Sequence, residues 1–204
     1  VAERVRRGRL LAVDAAHGDD VYDAATALVE TLADRGRSAG ISRWDASGLF
    51  NDIVSAPAAE REVSPRTLLL LYAADLAFRL HWEIEPVLAQ GGIVIAAPYV
   101  QTAIAFGKAT GLSRDWLTAL LRFATTPART LILKDAKPPR RWKRRPERGF
   151  CECAATLLAA TPQGFPRRKT RSAMLNALST VAESHGGLIR PRLLTSQNFR
   201  ALEP

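Results

Sequence analysis

Along this chain, short runs of purely apolar residues alternate with longer stretches in which apolar residues recur every three or four positions. The first run is Leu10-Leu11-Ala12-Val13. Bounded by turn residues, it suits a strand buried on both faces. Residues 14–20 are small and polar and include Gly18, which predicts a tight loop. From 21 to 35 the apolar residues return at helical spacing (Ala24, Ala25, Leu28, Leu32), with Asp20 and Asp23 as an acidic start signal and Gly36 as the stop. A second strand is expected at 41–44, a turn at 45–48 and one or two helical turns at 49–54. Ser64-Pro65 opens a long helix to residue 90, carrying Leu68, Leu71, Tyr72, Asp75, Leu76, Arg79 and Leu80 before Gly91-Gly92 ends it. A third strand is predicted at 93–96, helices at 101–108 and 113–124, and a fourth strand at 130–133. Beyond these come helices at 151–160 and 169–183, and a short fifth strand at Leu188-Ile189. Apolar strands separated by helices predict one α/β domain over residues 1–204. Its expected form is a three-layer α/β/α arrangement with a mostly parallel sheet of about five strands, in which 10–13 and 93–96 are neighbouring central strands.

Composition alters this picture in one place. The chain has 204 residues, 47% hydrophobic and 24% charged, with a net charge of +9. All of that excess lies in residues 137–171, where eleven Lys and Arg face only Glu147 and Glu152; the remainder carries 18 of each sign. No apolar run approaches the ~20 residues of a membrane span, and the charged stretch 1–8 does not read as a secretory leader. Two cysteines make no disulfide framework, so a reducing cytoplasm is the expected compartment. Cys151-Glu152-Cys153 is too sparse for zinc and His17, His81 and His185 lie far apart in sequence, so no metal is expected.

The chemistry to be weighed sits in residues 9–36. Strand, loop, helix and glycine form the unit in which P-loop proteins hold phosphate. Such a loop uses glycines so that backbone N–H groups can wrap the phosphates, a Lys for the β and γ phosphates, and a Ser or Thr hydroxyl for magnesium. Here the loop reads Asp14-Ala15-Ala16-His17-Gly18-Asp19-Asp20-Val21-Tyr22. One glycine remains, Val21 stands at the Lys position and Tyr22 at the hydroxyl position. A cation ~4 Å from a phosphate charge contributes ~4 kcal/mol at an effective dielectric of 20; Val21 supplies none of it, and Asp19 and Asp20 reverse the sign. Either carboxylate can instead satisfy a backbone N–H at residues 21–23, where a helix start leaves donors unpaired. His17 reads as a solvated loop histidine rather than a ligand.

In the order of its elements, the chain resembles thymidylate kinase, a nucleoside monophosphate kinase on the P-loop fold. The resemblance covers about residues 9–135. Residues 9–36 resemble the family's first strand, phosphate loop and helix. Leu70-Leu71-Tyr72-Ala73-Ala74-Asp75-Leu76 resembles its helical LLFAADR stretch, Gly92-Ile93-Val94-Ile95-Ala96-Ala97-Pro98-Tyr99 its strand ending in DRY, residues 102–106 its SxxAY, and residues 130–135 the strand before its lid. The departures fall on the chemistry. The acid and arginine of DRY align with Ala97 and Pro98, the arginine of ADR with Leu76, and the loop Lys and hydroxyl with Val21 and Tyr22. Asp75, Tyr99, Thr102 and Arg43 at the end of the second strand remain as equivalents of the monophosphate pocket.

Three functions stay open at this level. The first is a thymidylate-kinase-like protein that no longer transfers phosphate and binds a ligand or partner, with no cofactor. The second is an active nucleotide kinase using ATP and magnesium, in which arginines of the basic lid-like segment replace the missing Lys. That segment holds Arg140, Arg141, Lys143, Arg144, Arg145 and Arg148 around Trp142. The third is nucleic-acid or polyanion binding through residues 137–171, since basic side chains with an aromatic suit a phosphate backbone and base stacking, although charge runs also occur as plain solvated loops. The resemblance further implies a homodimer built on helix 65–90, which is apolar on more than one face at Leu68, Leu69, Leu70, Leu71, Phe78 and Trp82.

Overall fold

The computed structural model describes residues 8–55, 63–133, 149–159, 173 and 176–178. Its centre is a parallel sheet of four strands among the described residues: β1 (Arg9–Asp14), β2 (Ala39–Arg43), β3 (Ile93–Ala97) and β4 (Arg129–Ile132). Their order is β2-β3-β1-β4, with Leu11 opposite Ile95 and Val13 opposite Leu131. The two apolar runs are therefore adjacent central strands. The expected fifth strand, at Leu188-Ile189, lies outside the described residues.

The period-2 geometry of strands splits these apolar runs between two cores. Leu10, Ala12, Val94 and Ala96 face one core with α2 (Leu49–Ser55), α3 (Pro65–Arg79), α5 (Val100–Ala109), α6 (Arg114–Leu121) and α7 (Phe150–Ala159). Val13, Ile93, Ile95, Ala97 and Leu131 face the other with Ala24, Ala25, Leu28 and Leu32 of α1 (Gly18–Ala33). The result is the expected three-layer arrangement.

Several element ends differ from expectation in informative ways. Helix α1 begins at Gly18, three residues before Val21, so Asp19 and Asp20 lie inside its first turn rather than ahead of it. Its N-cap is His17, whose side chain makes no capping bond to its own helix. The long helix from Pro65 does not run unbroken: α3 passes into a π-helical turn, Leu80–Ile84, and then α4 (Glu85–Ala89). The predicted caps at Ser64 and Ser113 both form, accepting from Thr67 N at 3.0 Å and Trp116 N at 3.3 Å. Gly36 and Gly91 take φ of 68° and 78°, the left-handed conformation that ends a helix without a Cβ clash.

Candidate functional site

The site lies at the C-terminal edge of the sheet, where β1, β2 and β3 deliver their following turns around the first turn of α1. Parallel strands place ligands there because the loops and helix N-termini converge. Three buried charges shape this edge. Asp14, the last residue of β1, is fully buried, and its Oδ1 accepts from Tyr99 N (2.9 Å), Thr102 N (2.9 Å) and Thr102 Oγ1 (2.8 Å). It thus caps α5 from across the sheet. Its Oδ2 has no hydrogen-bond partner among the described residues. Burial outweighs the hydrogen bonds and raises its pKa above 3.8.

Asp75, in α3, holds the turn after β2. Its Oδ2 accepts from Asp45 N at 3.0 Å, and its Oδ1 from Ser47 N at 3.0 Å and Ser47 Oγ at 2.8 Å. Asp45, at φ 57°, in turn accepts from Phe50 N and Asn51 N and so caps α2. Burial raises the Asp45 pKa as well.

Arg79 is the third, with no solvent exposure. Its Nε donates to Ser42 Oγ (3.0 Å), Nη2 to Ser42 O (2.8 Å) and Nη1 to Pro98 O (3.0 Å), with Asp75 Oδ2 4.0 Å from Nη1. One guanidinium therefore ties the end of β2 to the turn after β3. Its planar donor fork suits several fixed acceptors at once. Sequence reading counted Arg79 only as a helical position.

Between these supports is a cavity of about 250 Å³ lined by Gly18, Val21, Tyr22, Ala25, Ile41, Arg43, Trp44, Ala97 and Pro98. The Arg43 guanidinium lies 4.3 Å from the Tyr22 ring centroid, and its Nη2 donates to Tyr22 Oη at 3.1 Å. The cavity is mostly apolar, with one cation and two aromatic rings at hand. The structure therefore gathers Gly18, Val21, Tyr22, Arg43, Ala97 and Pro98 at one place. It places Asp14, Asp75 and Thr102 as buried structural acceptors and donors, and Leu76 in the core. Tyr99 is also structural: its hydroxyl donates to Thr125 O and its carbonyl accepts from Tyr72 Oη, each at 2.7 Å. Burial lifts the phenol of Tyr99 above its usual range. The lid-like residues Arg140, Arg141, Lys143, Arg144, Arg145 and Arg148 lie outside the described residues.

A carboxylate does reach the first helical N–H of α1, and it comes from the far end of the chain. Glu152, in the first turn of α7, accepts from Gly18 N at 3.2 Å and from His17 Nδ1 at 3.0 Å, both at Oε1. The sequence offers one signal for it: Glu152 is one of only two acids among the eleven basic residues of 137–171. Among the described residues no group of three or more His, Cys, Asp or Glu is placed to hold a metal, and no helix is long and apolar enough to cross a membrane.

Comparison with known proteins points to one family. A family model described as Thymidylate kinase matches residues 24–158. The chain is 28% identical over 128 residues to the "Probable thymidylate kinase 2" of Saccharolobus solfataricus, covering 63% of this chain and 60% of that protein. It is 30% identical over 132 residues to a thymidylate kinase of Xanthomonas campestris, covering 65% of this chain and 58% of that one. The matched region thus spans about 60% of the length of these relatives. The crystal structure of thymidylate kinase from Ehrlichia chaffeensis superposes with a TM-score of 0.70 at 13% identity, over 96% of this chain and 99% of that one, a likeness of fold.

Proposed function

The chain belongs to the thymidylate kinase family, and from that premise we propose that it is a member that does not transfer phosphate and instead binds a small ligand in the cavity beside Arg43. The observation that carries this reading is the chemistry at the start of α1. Val21 offers the phosphates no charge and is itself packed into the core under the sheet. Tyr22 is turned to Arg43 rather than to a magnesium site. A carboxylate, not a cation, stands against Gly18 N. Phosphoryl transfer depends almost wholly on positioning and charge stabilisation, so the residues present do not fit a magnesium–nucleoside triphosphate, and no step is routed through one.

The neighbouring cavity is the better ligand site. Arg43 supplies a cation, Trp44 and Tyr22 supply rings, and Val21, Ala25, Ile41, Ala97 and Pro98 supply apolar walls. This combination suits a ligand with a flat apolar body and one anionic group, the chemistry of a nucleoside monophosphate. Arg79 and Asp75 keep the walls in place without touching the cavity.

Assembly follows from α3. One side of the helix is buried through Leu68, Leu69, Tyr72, Leu76 and Arg79, while Leu70 and Phe78 on the other are 50% and 39% exposed, and Trp82 in the π-helical turn that follows is 65% exposed. Ala74 and Ala77 complete an apolar stripe at helical spacing. A homodimer closed on this stripe accounts for it.

The test uses the full purified chain with ATP, magnesium and thymidylate, followed by ADP release. No turnover above background is expected, together with a rise in melting temperature on adding thymidylate alone. A measurable rate that vanishes when Arg140, Arg141, Arg144 and Arg145 are changed to Ala overturns this reading in favour of an active kinase. Salt-dependent DNA or RNA binding through the same segment, with no thymidylate shift, overturns it in favour of polyanion binding.

A further inference from the structure

We propose that Glu152 is the protein's own anion for the N-terminal end of α1, a contact that an outside phosphate must displace. The contact is built from both sides. On the loop side, Gly18 N is the first N–H of a 16-residue helix, a position where unpaired donors and the helix dipole favour negative charge. Glu152 Oε1 occupies it at 3.2 Å and is shared with His17 Nδ1 at 3.0 Å. The second oxygen, Oε2, is buried and has no hydrogen-bond partner among the described residues. A carboxylate that sat here only to satisfy itself would have both oxygens paired. This one has been brought in with one oxygen orphaned, as a group positioned by its helix rather than by its own hydrogen bonds.

The helix side shows what positions it. Gly149 comes directly before α7, and its backbone abuts the loop. A Cβ at Gly149 would lie 2.6 Å from Gly18 Cα and 2.7 Å from Gly18 N, and would collide with Glu152 Oε2. Two glycines therefore allow α7 and α1 to meet backbone to backbone. Phe150 anchors the joint. It is 1% exposed, with ring centroids 4.6 Å from Tyr72, 5.0 Å from Phe106 and 5.7 Å from Phe50. Cys153, Ala154, Leu157 and Leu158 bury the rest of the same face. Glu152 is thus carried on a docked helix to a donor 134 residues away in sequence.

Two consequences follow from chemistry alone. An incoming phosphate competes with a carboxylate for the same N–H and meets its charge at close range. Entry also requires the Glu152 side chain, 21% exposed, to swing away from Gly18 N. The contact is independent of whether the cavity beside Arg43 binds a nucleoside monophosphate, and it is read out separately.

The experiment titrates inorganic pyrophosphate into the full chain and into Glu152→Gln, following the Gly18 amide by NMR and affinity by calorimetry. The substituted amide keeps the shape of the side chain and removes its charge. Binding at least tenfold tighter in the variant, with the Gly18 amide moving on titration, is the expected result. Equal affinity in the two proteins, binding to neither, or tighter binding that leaves the Gly18 amide unmoved overturns the proposal. Should Glu152→Gln not fold, Glu152→Asp withdraws the carboxylate by one methylene from Gly18 N; a gain in pyrophosphate affinity is again expected, and its absence overturns the proposal. A thymidylate shift that persists unchanged in either variant separates failure of this proposal from failure of the pocket assignment.

Discussion

Arg79 and Pro98 are joined by a 3.0 Å hydrogen bond from guanidinium Nη1 to the prolyl carbonyl, in a site with no solvent exposure at the arginine. The same guanidinium holds Ser42 through Nε and Nη2. The walls of the cavity at β2 and β3 therefore share one clamp. Changing Arg79 to Met leaves two buried carbonyls and the Ser42 hydroxyl short of a donor, and leaves Asp75 without its nearest cation. Such losses cost about 3 kcal/mol. Urea unfolding of Arg79→Met should give a loss of that order, with thymidylate binding weakened in the protein that remains folded. A variant as stable as the parent would show that the clamp contributes nothing.

The carboxyl of Asp14 gives the fold a pH dependence of defined sign. Its folded pKa is raised above 3.8 by burial, so the folded chain holds this proton more tightly than the unfolded chain. The stability it contributes is complete below about pH 3.8 and is lost as pH rises through the folded value. Asp14→Asn keeps an oxygen for Tyr99 N and Thr102 N but does not ionise. Relative to the variant, the parent should lose stability as pH is raised from about 3.5 towards about 7 in paired urea melts. A parent that gains on the variant over that range contradicts the assignment.

Arg43 and Tyr22 hold each other at the mouth of the cavity. Arg43→Ala removes the cation there, and an exposed arginine carries little of the fold. The melting temperature without ligand should change little, and the rise caused by thymidylate should disappear. A full rise in Arg43→Ala places the ligand elsewhere.

Val21→Lys restores the side chain that phosphate loops use, and it should remain inactive. Tyr22, Ala97 and Leu76 are unchanged in it, and groups that act together in catalysis are not rescued one at a time. The new Lys also replaces a residue packed among Val13, Ala25 and Leu28, so circular dichroism must accompany the assay. Turnover above background in a folded variant would show that a single charge had been missing.

Sedimentation should report a mass twice that of the 22.3 kDa chain at micromolar concentration. Trp82→Glu combined with Leu70→Glu places two charges on the exposed stripe that runs from α3 into the π-helical turn after it, and should return the monomer without unfolding it. A parent that is already monomeric removes the case for the stripe as an interface.

The local pattern of residues was enough for the four strands among the described residues and for two helix caps. Leu10-Leu11-Ala12-Val13 and Ile93-Val94-Ile95-Ala96 are apolar throughout because both faces of a central parallel strand are covered, and that demand is written residue by residue. Ser64 and Ser113 each cap a helix through an N–H three residues further on, a purely local relationship. The roles of Asp14, Asp75, Arg79 and Glu152 were not legible in this way. Each is a charge whose partners are backbone groups on another element, from Ser42 O to Gly18 N. Which carbonyl or N–H stands unpaired is decided by where turns and helix ends fall in space, and burial then makes a distant charge the group that satisfies it. Asp19 and Asp20 sit in the first turn of α1, where adjacency in sequence alone puts them. Glu152 reaches Gly18 N from far along the chain, because α7 docks its aromatic and aliphatic face against the core and carries the carboxylate there.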